Sequence, residues 1–160
     1  MRLFALQAVL RATSSSNVRL RKGLAQGMGH GPMKQAWNEL ANSRFIAPAA
    51  SADSLLAGRL TDPVTGMPGS TVRRQAADWA LRTASQGRTR GLGSAGQLLS
   101  VGLHALTSPP RRDGSADTGH VAHLCGLTAN GLPHELERLV AALTGWALAA
   151  AEEETTWKLG

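Results

Sequence analysis

Residues 139–151 read LVAALTGWALAAA, an uncharged run bounded by Arg138 and Glu152. Thirteen uncharged residues fall short of the roughly twenty that a helix needs to cross a bilayer, so the run belongs in a core or against a partner. Leu136, Leu139, Val140, Leu143, Trp146, Ala147 and Ala150 recur at spacings of three and four. That period places them on one stripe and predicts a single long helix over 133–154. Its glutamates, 152–154, stand at the end where the helix dipole is unfavourable to them, which asks for a basic partner there.

Helical spacing recurs upstream. Pro32 suits a first helical turn, and Met33, Trp37, Leu40, Ala41 and Phe45 then share a face until Pro48. Ser51 and Asp53 open a short helix through Leu55, Leu56 and Leu60, followed by the turn-rich TDPVTGMPGS over 61–70. A further helix is predicted over 72–85, with Val72, Ala76, Trp79, Ala80 and Thr83 on one side, and another over 94–106 ahead of Pro109 and Pro110. Valine is scarce and Ile46 is the only isoleucine, which removes the usual material of sheets. No internal repeat shows in the sequence. The expected fold is therefore all-α: three to five short helices joined by Gly/Pro/Ser-rich extended segments, with packing completed by a partner. Alanine buries little area, and 18 Gly and 7 Pro dilute the core further.

The N-terminus MRLFALQAVLRATSSSNVRLRK carries Arg2, Arg11, Arg19, Arg21 and Lys22 before the first acid of the chain, Glu39. Leu3, Leu6 and Leu10 share a helical face flanked by Arg2 and Arg11. An Arg-rich, Ser-containing, acid-free amphipathic opening resembles a mitochondrial presequence. The resemblance implies a targeting role for Arg2, Leu3, Leu6, Leu10, Arg11, Arg19 and Arg21, and an N-terminus that also suits anionic lipid. The organisation expected is a presequence-like segment over 1–22, a Gly-rich linker over 23–31, a helical region over 32–108, an exposed loop over 109–119 and a C-terminal helical region over 120–160.

The formal charge is +6 and unevenly spread: +6 over 1–38, −1 over 39–70, +6 over 71–112 and −5 over 113–160. Removal of 1–22 would leave +1, so only the middle third stays a candidate for phosphate contact. One cysteine, Cys125, allows no intrachain disulfide.

No constellation carries catalysis. GLGSAG at 91–96 matches G-x-G-x-x-G but follows SQGRTR, which is no strand. His120, His123, Cys125 and His134 match no zinc spacing. HELER at 134–138 has Arg138 where a zincin needs its second histidine, and no G-x-S-x-G occurs. QGRTRGLG beside PPRR is a short Arg-Gly tract of the kind that contacts RNA backbone.

The function expected is that of a non-catalytic accessory subunit of a large mitochondrial assembly, of the respiratory-chain or ATP synthase kind. It would sit in the matrix or on the matrix face of the inner membrane, without a cofactor, metal or transmembrane span. Its partners would be other protein subunits, packed on Trp79, Leu136, Leu139, Val140, Leu143 and Trp146. The alternative is a mitochondrial ribosomal protein that contacts rRNA through its basic N-terminus and residues 71–112, with Arg73, Arg74, Arg88, Arg90, Arg111 and Arg112 at the phosphates.

Overall fold

The computed structural model describes residues 2–21, 23–26, 33–50, 55–63, 65–85, 89, 91–143, 145–151 and 153–160. The chain forms two compact units, Met1–Arg82 and Thr83–Gly160. Each contains helices and a three-stranded antiparallel sheet, so the fold is mixed α/β and the all-α expectation is corrected.

Unit 1 runs α1 (Arg2–Arg11), β1 (Asn17–Arg21), α2 (Gly23–Gln26), α3 (Met33–Asn42), β2 (Ile46–Pro48), β3 (Leu55–Leu60), and then α4 (Ser70–Ser85), inside which the boundary between the units falls. Its sheet has the order β1-β3-β2. Strand β1, NVRLR, alternates strictly between exposed and buried positions, so Val18 and Leu20 face the core while Asn17, Arg19 and Arg21 face water. Trp37 of α3 meets Phe4 of α1 edge to face at 6.3 Å between ring centroids. The same tryptophan approaches β3 so closely at Gly58 that a Cβ there would overlap Trp37 and Ile46. From α1, the buried Gln7 donates its Nε2 to the Ala77 carbonyl of α4 at 2.9 Å, and Arg11 pairs with Asp78.

Unit 2 runs α5 (Ser94–Leu106), β4 (Asp113–Asp117), α6 (Thr118–Cys125), a 3-10 turn (Ala129–Gly131), α7 (Leu132–Ala142), β5 (Ala147–Ala150) and β6 (Glu154–Lys158). Its sheet order is β4-β6-β5. Leu99, Leu103, Val121, Cys125, Leu132, Leu136, Leu139 and Trp157 form one buried cluster. Trp157 fixes the sheet to the end of α5 by donating Nε1–H to Thr107 Oγ1 at 2.9 Å.

The long helix expected over 133–154 is two elements. Helix α7 stops at Ala142, Gly145 turns the chain at φ +84°, and the remaining alanines form β5. The left-handed region that Gly145 occupies is open to glycine at little cost. Likewise LLAGRL, expected as helix, is β3, and Glu154, the expected helix end, opens β6 (ETTWK) with Thr155 and Trp157 inward. Polar outer faces and lengths of three to six residues hide these strands from a test based on valine and isoleucine content. Helices α4 and α5 lie where the spacing put them; α3 begins as expected but stops at Asn42, and Ile46–Pro48, expected as the end of that helix, is β2. Of the expected Gly-rich linker, residues 23–26 form α2 and the rest, with Ser51 and Asp53, lies outside the described residues.

Candidate nucleic-acid interface

The two units repeat one connectivity that the sequence does not display: helix, strand, helix, helix, strand, strand, with the last strand in the middle of the sheet. Two consecutive helices followed by an antiparallel hairpin is the connectivity of a winged helix-turn-helix. In the helix-turn-helix, the second helix of the pair is the one that enters a nucleic-acid groove.

In unit 2 the pair is α6 and α7. The Asp117 carboxylate caps α6 by accepting the His120 amide at 2.6 Å, and Gly126 ends it in the left-handed conformation, its amide on the His123 carbonyl at 2.8 Å. Leu127 donates back to the Ala122 carbonyl, and Thr128 Oγ1 accepts the Gly131 amide at 3.1 Å before α7 begins. The exposed positions of α7 include His134, Glu137, Arg138, Val140 and Ala141. Arg138 is bound to Glu135 at 2.7 Å. That face is acidic and apolar, a poor match for phosphate.

In unit 1 the pair is α2 and α3. Helix α3 buries Trp37 and Leu40 and exposes Lys34, Gln35, Asn38 and Asn42. Lys34, Asn38 and Asn42 are four residues apart and line up as one stripe. Gln35 holds Glu39 at 3.2 Å, beside the stripe. Lysine suits a phosphate or guanine, and asparagine and glutamine suit adenine edges. Arg19, Arg21 and Arg59 add exposed cations on the outer face of the sheet, where Arg59 stands cross-strand from Asn17. Unit 1 holds eleven of the seventeen Lys and Arg and four of the eleven Asp and Glu, a formal +7, while unit 2 holds the remaining six and seven, a formal −1.

The residues singled out in the sequence fall as follows. Leu3 is fully buried and Leu6 and Leu10 are half-buried, so the leucine face of α1 is core of unit 1, with Arg2 exposed. Arg73 is occupied structurally: its Nη1 donates to the Pro68 carbonyl at 2.9 Å and its Nη2 to the Ala12 carbonyl at 2.8 Å. Arg74 Nε donates to the Ser70 carbonyl at 3.4 Å. Arg111 is exposed, Arg112 donates to the Gly160 carbonyl at 3.3 Å, and Arg88 and Arg90 lie outside the described residues.

Of the expected packing residues, Leu136 and Leu139 belong to the core of unit 2. Trp79 and Val140 are exposed on α4 and α7, Leu143 is half-buried, and Trp146 stacks on His104 at 4.9 Å. His120, His123 and His134 are exposed and Cys125 is buried. Among the described residues no three His, Cys, Asp or Glu side chains converge on one point, and no helix is long and apolar enough to cross a membrane. Sequence reading missed Lys34, Gln35, Asn38 and Asn42. Their four-residue spacing opposite Trp37 and Leu40 was legible, but nothing marked that helix as the second of a pair.

No known family, no curated protein and no solved structure matches this chain.

Proposed function

We propose that this protein binds duplex DNA and that unit 1 supplies the contacts. The observation that carries the reading is the stripe of Lys34, Asn38 and Asn42 on α3, the second of two consecutive helices ahead of an antiparallel strand pair, within a unit of formal charge +7. A phosphate contact from Lys34 would fix register, and the amides of Asn38 and Asn42 would read base edges. The accessory-subunit reading, drawn from Ala/Leu helices and a presequence-like N-terminus, remains the second proposal; each unit buries leucines and a tryptophan of its own, which favours the DNA-binding reading over it.

The test is fluorescence anisotropy of a labelled duplex DNA with the full chain over a range of salt, with duplex RNA as competitor. Affinity should fall linearly on a log-log scale as salt rises. Lys34→Ala should lower the slope by about 1. Absence of binding at low salt, or an unchanged slope in Lys34→Ala, would defeat the proposal. Stronger competition by RNA than by unlabelled DNA would favour the ribosomal reading instead.

A further inference from the structure

Strand β5 is a sheet edge that, among the described residues, carries no charge and no proline. The Ala151 amide bonds the Glu154 carbonyl at 2.9 Å, and the β5–β6 register pairs Ala149 with Thr156 and Ala147 with Lys158. Bonded and non-bonded pairs alternate along an antiparallel ladder, so Ala149 and Ala147 turn their main-chain groups toward β6. Those of Leu148 and Ala150 point away from the sheet.

Exposed edges invite pairing and are normally blunted by charge or proline. The other three edges are blunted here. Strand β1 carries exposed Arg19 and Arg21, and β4 carries Asp113 and Asp117 and is bridged at one end by Ser108. In β2, the Ala49 amide bonds the Ala57 carbonyl at 2.9 Å, which makes Pro48 opposite Gly58 the outward position. Unit 1 thus sets a proline where an outward amide would stand. At the corresponding strand of unit 2 there are only three alanines and a leucine.

We propose that β5 pairs antiparallel with β5 of a second copy of this chain, across a two-fold axis at Ala149. That register sets Leu148 opposite Ala150 of the other copy and Ala150 opposite its Leu148. Both residues of each pair have outward main-chain groups, so each pair exchanges two hydrogen bonds and no outward group is left over. Ala149 meets itself as a non-bonded pair, with Cα atoms about 4.5 Å apart, where a small uncharged side chain fits and a charged one would repel its own copy. In an isologous contact only the residue on the axis faces its own copy, and the uncharged Ala149 meets that condition. Beside the strand, Leu136, Val140, Leu148 and Ala150 line a groove between α7 and β5. Val140 is 37% exposed, and the second copy would cover it. Glu137 is the one charged residue lining the groove and stands exposed at its rim.

The experiment is sedimentation velocity of the full chain over the accessible concentration range, on the unmodified protein, Ala149→Lys and Ala150→Pro. Ala149 and Ala150 are both exposed, and neither change removes a β5–β6 hydrogen bond. The unmodified chain should move from the 16.7 kDa monomer toward twice that mass as concentration rises, and both variants should stay monomeric with unchanged circular dichroism. A monomer at every concentration, or variants that dimerise as the unmodified chain does, would overturn the proposal. Amide hydrogen exchange gives a readout on the unmodified protein alone. Protection at Leu148 and Ala150 should grow with concentration, and protection that stays constant would overturn it equally. The inference is independent of DNA binding, because the strand and its groove lie wholly within unit 2.

Discussion

Gly114 and Gly102 look alike in the sequence and behave oppositely in the fold. A Cβ on Gly114 would overlap the Trp157 ring, which is 3% exposed and held at Thr107 by its indole hydrogen bond. At Gly102, inside α5, a Cβ meets nothing within 4 Å. Gly114→Ala should therefore cost about 2 kcal/mol through overpacking, and Gly102→Ala should gain about 0.8 kcal/mol from helix propensity. Urea unfolding read at tryptophan fluorescence checks both, and equal effects at the two sites would show that Trp157 does not press on β4. Gly145 makes the same point for the fold as a whole. Within LVAALTGWALAAA it lay inside the run expected as helix, whereas α7 stops at Ala142, Leu143 is extended and Gly145 turns the chain in the left-handed region ahead of β5. The residues of the candidate interface were similarly half-legible: the spacing of Lys34, Asn38 and Asn42 opposite Trp37 is sequence information, but the role of their helix is not.

At the scale of elements, the segment 1–22 holds α1 and β1, and β1 is an edge strand paired along its whole length with β3. Leu3 and Phe4 of α1 and Val18 and Leu20 of β1 are all buried, so the segment is a structural part of unit 1. Removal of residues 1–22 should abolish the cooperative unfolding of unit 1 and with it DNA binding, while unit 2 keeps its hydrogen-exchange protection. Retained binding by the shortened chain would mean that α1 and β1 are dispensable. The reason the strand escaped detection is physical. NVRLR alternates with period two, but arginine occupies its solvent face, and in a stretch otherwise rich in leucine and arginine that alternation is outweighed by the helical spacing of residues 3–10. Alanine and leucine runs are worse, since neither residue separates helix from strand when the run is short and half-exposed. Helices α4 and α5 were legible because each is longer than ten residues and has turn residues on both sides.

For the whole molecule, the uneven charge is the property with functional weight. Residues 1–38 and 71–112 each looked basic in sequence, yet the second block straddles the boundary at Arg82 and several of its arginines hold carbonyls. What counts is the exposed cation in unit 1. Lys34→Glu should therefore lower DNA affinity at low salt by about tenfold, on the scale of one lost phosphate contact. Arg111→Glu, in the acidic unit, should change it little. Equal losses would show that DNA runs over both units. The sequence by itself determined the composition, the net charge, the absence of a membrane-length helix among the described residues, the positions of α4 and α5 and the start of α3. It determined these because helical period and charge are local or additive. Only tertiary structure decided that the rest is sheet, that the same connectivity is built twice, and that the cations gather on one unit. A strand of three to six residues is stabilised by the partner across the ladder rather than by its own side chains, and Asp113 and Lys158, for instance, pair across 45 residues of sequence.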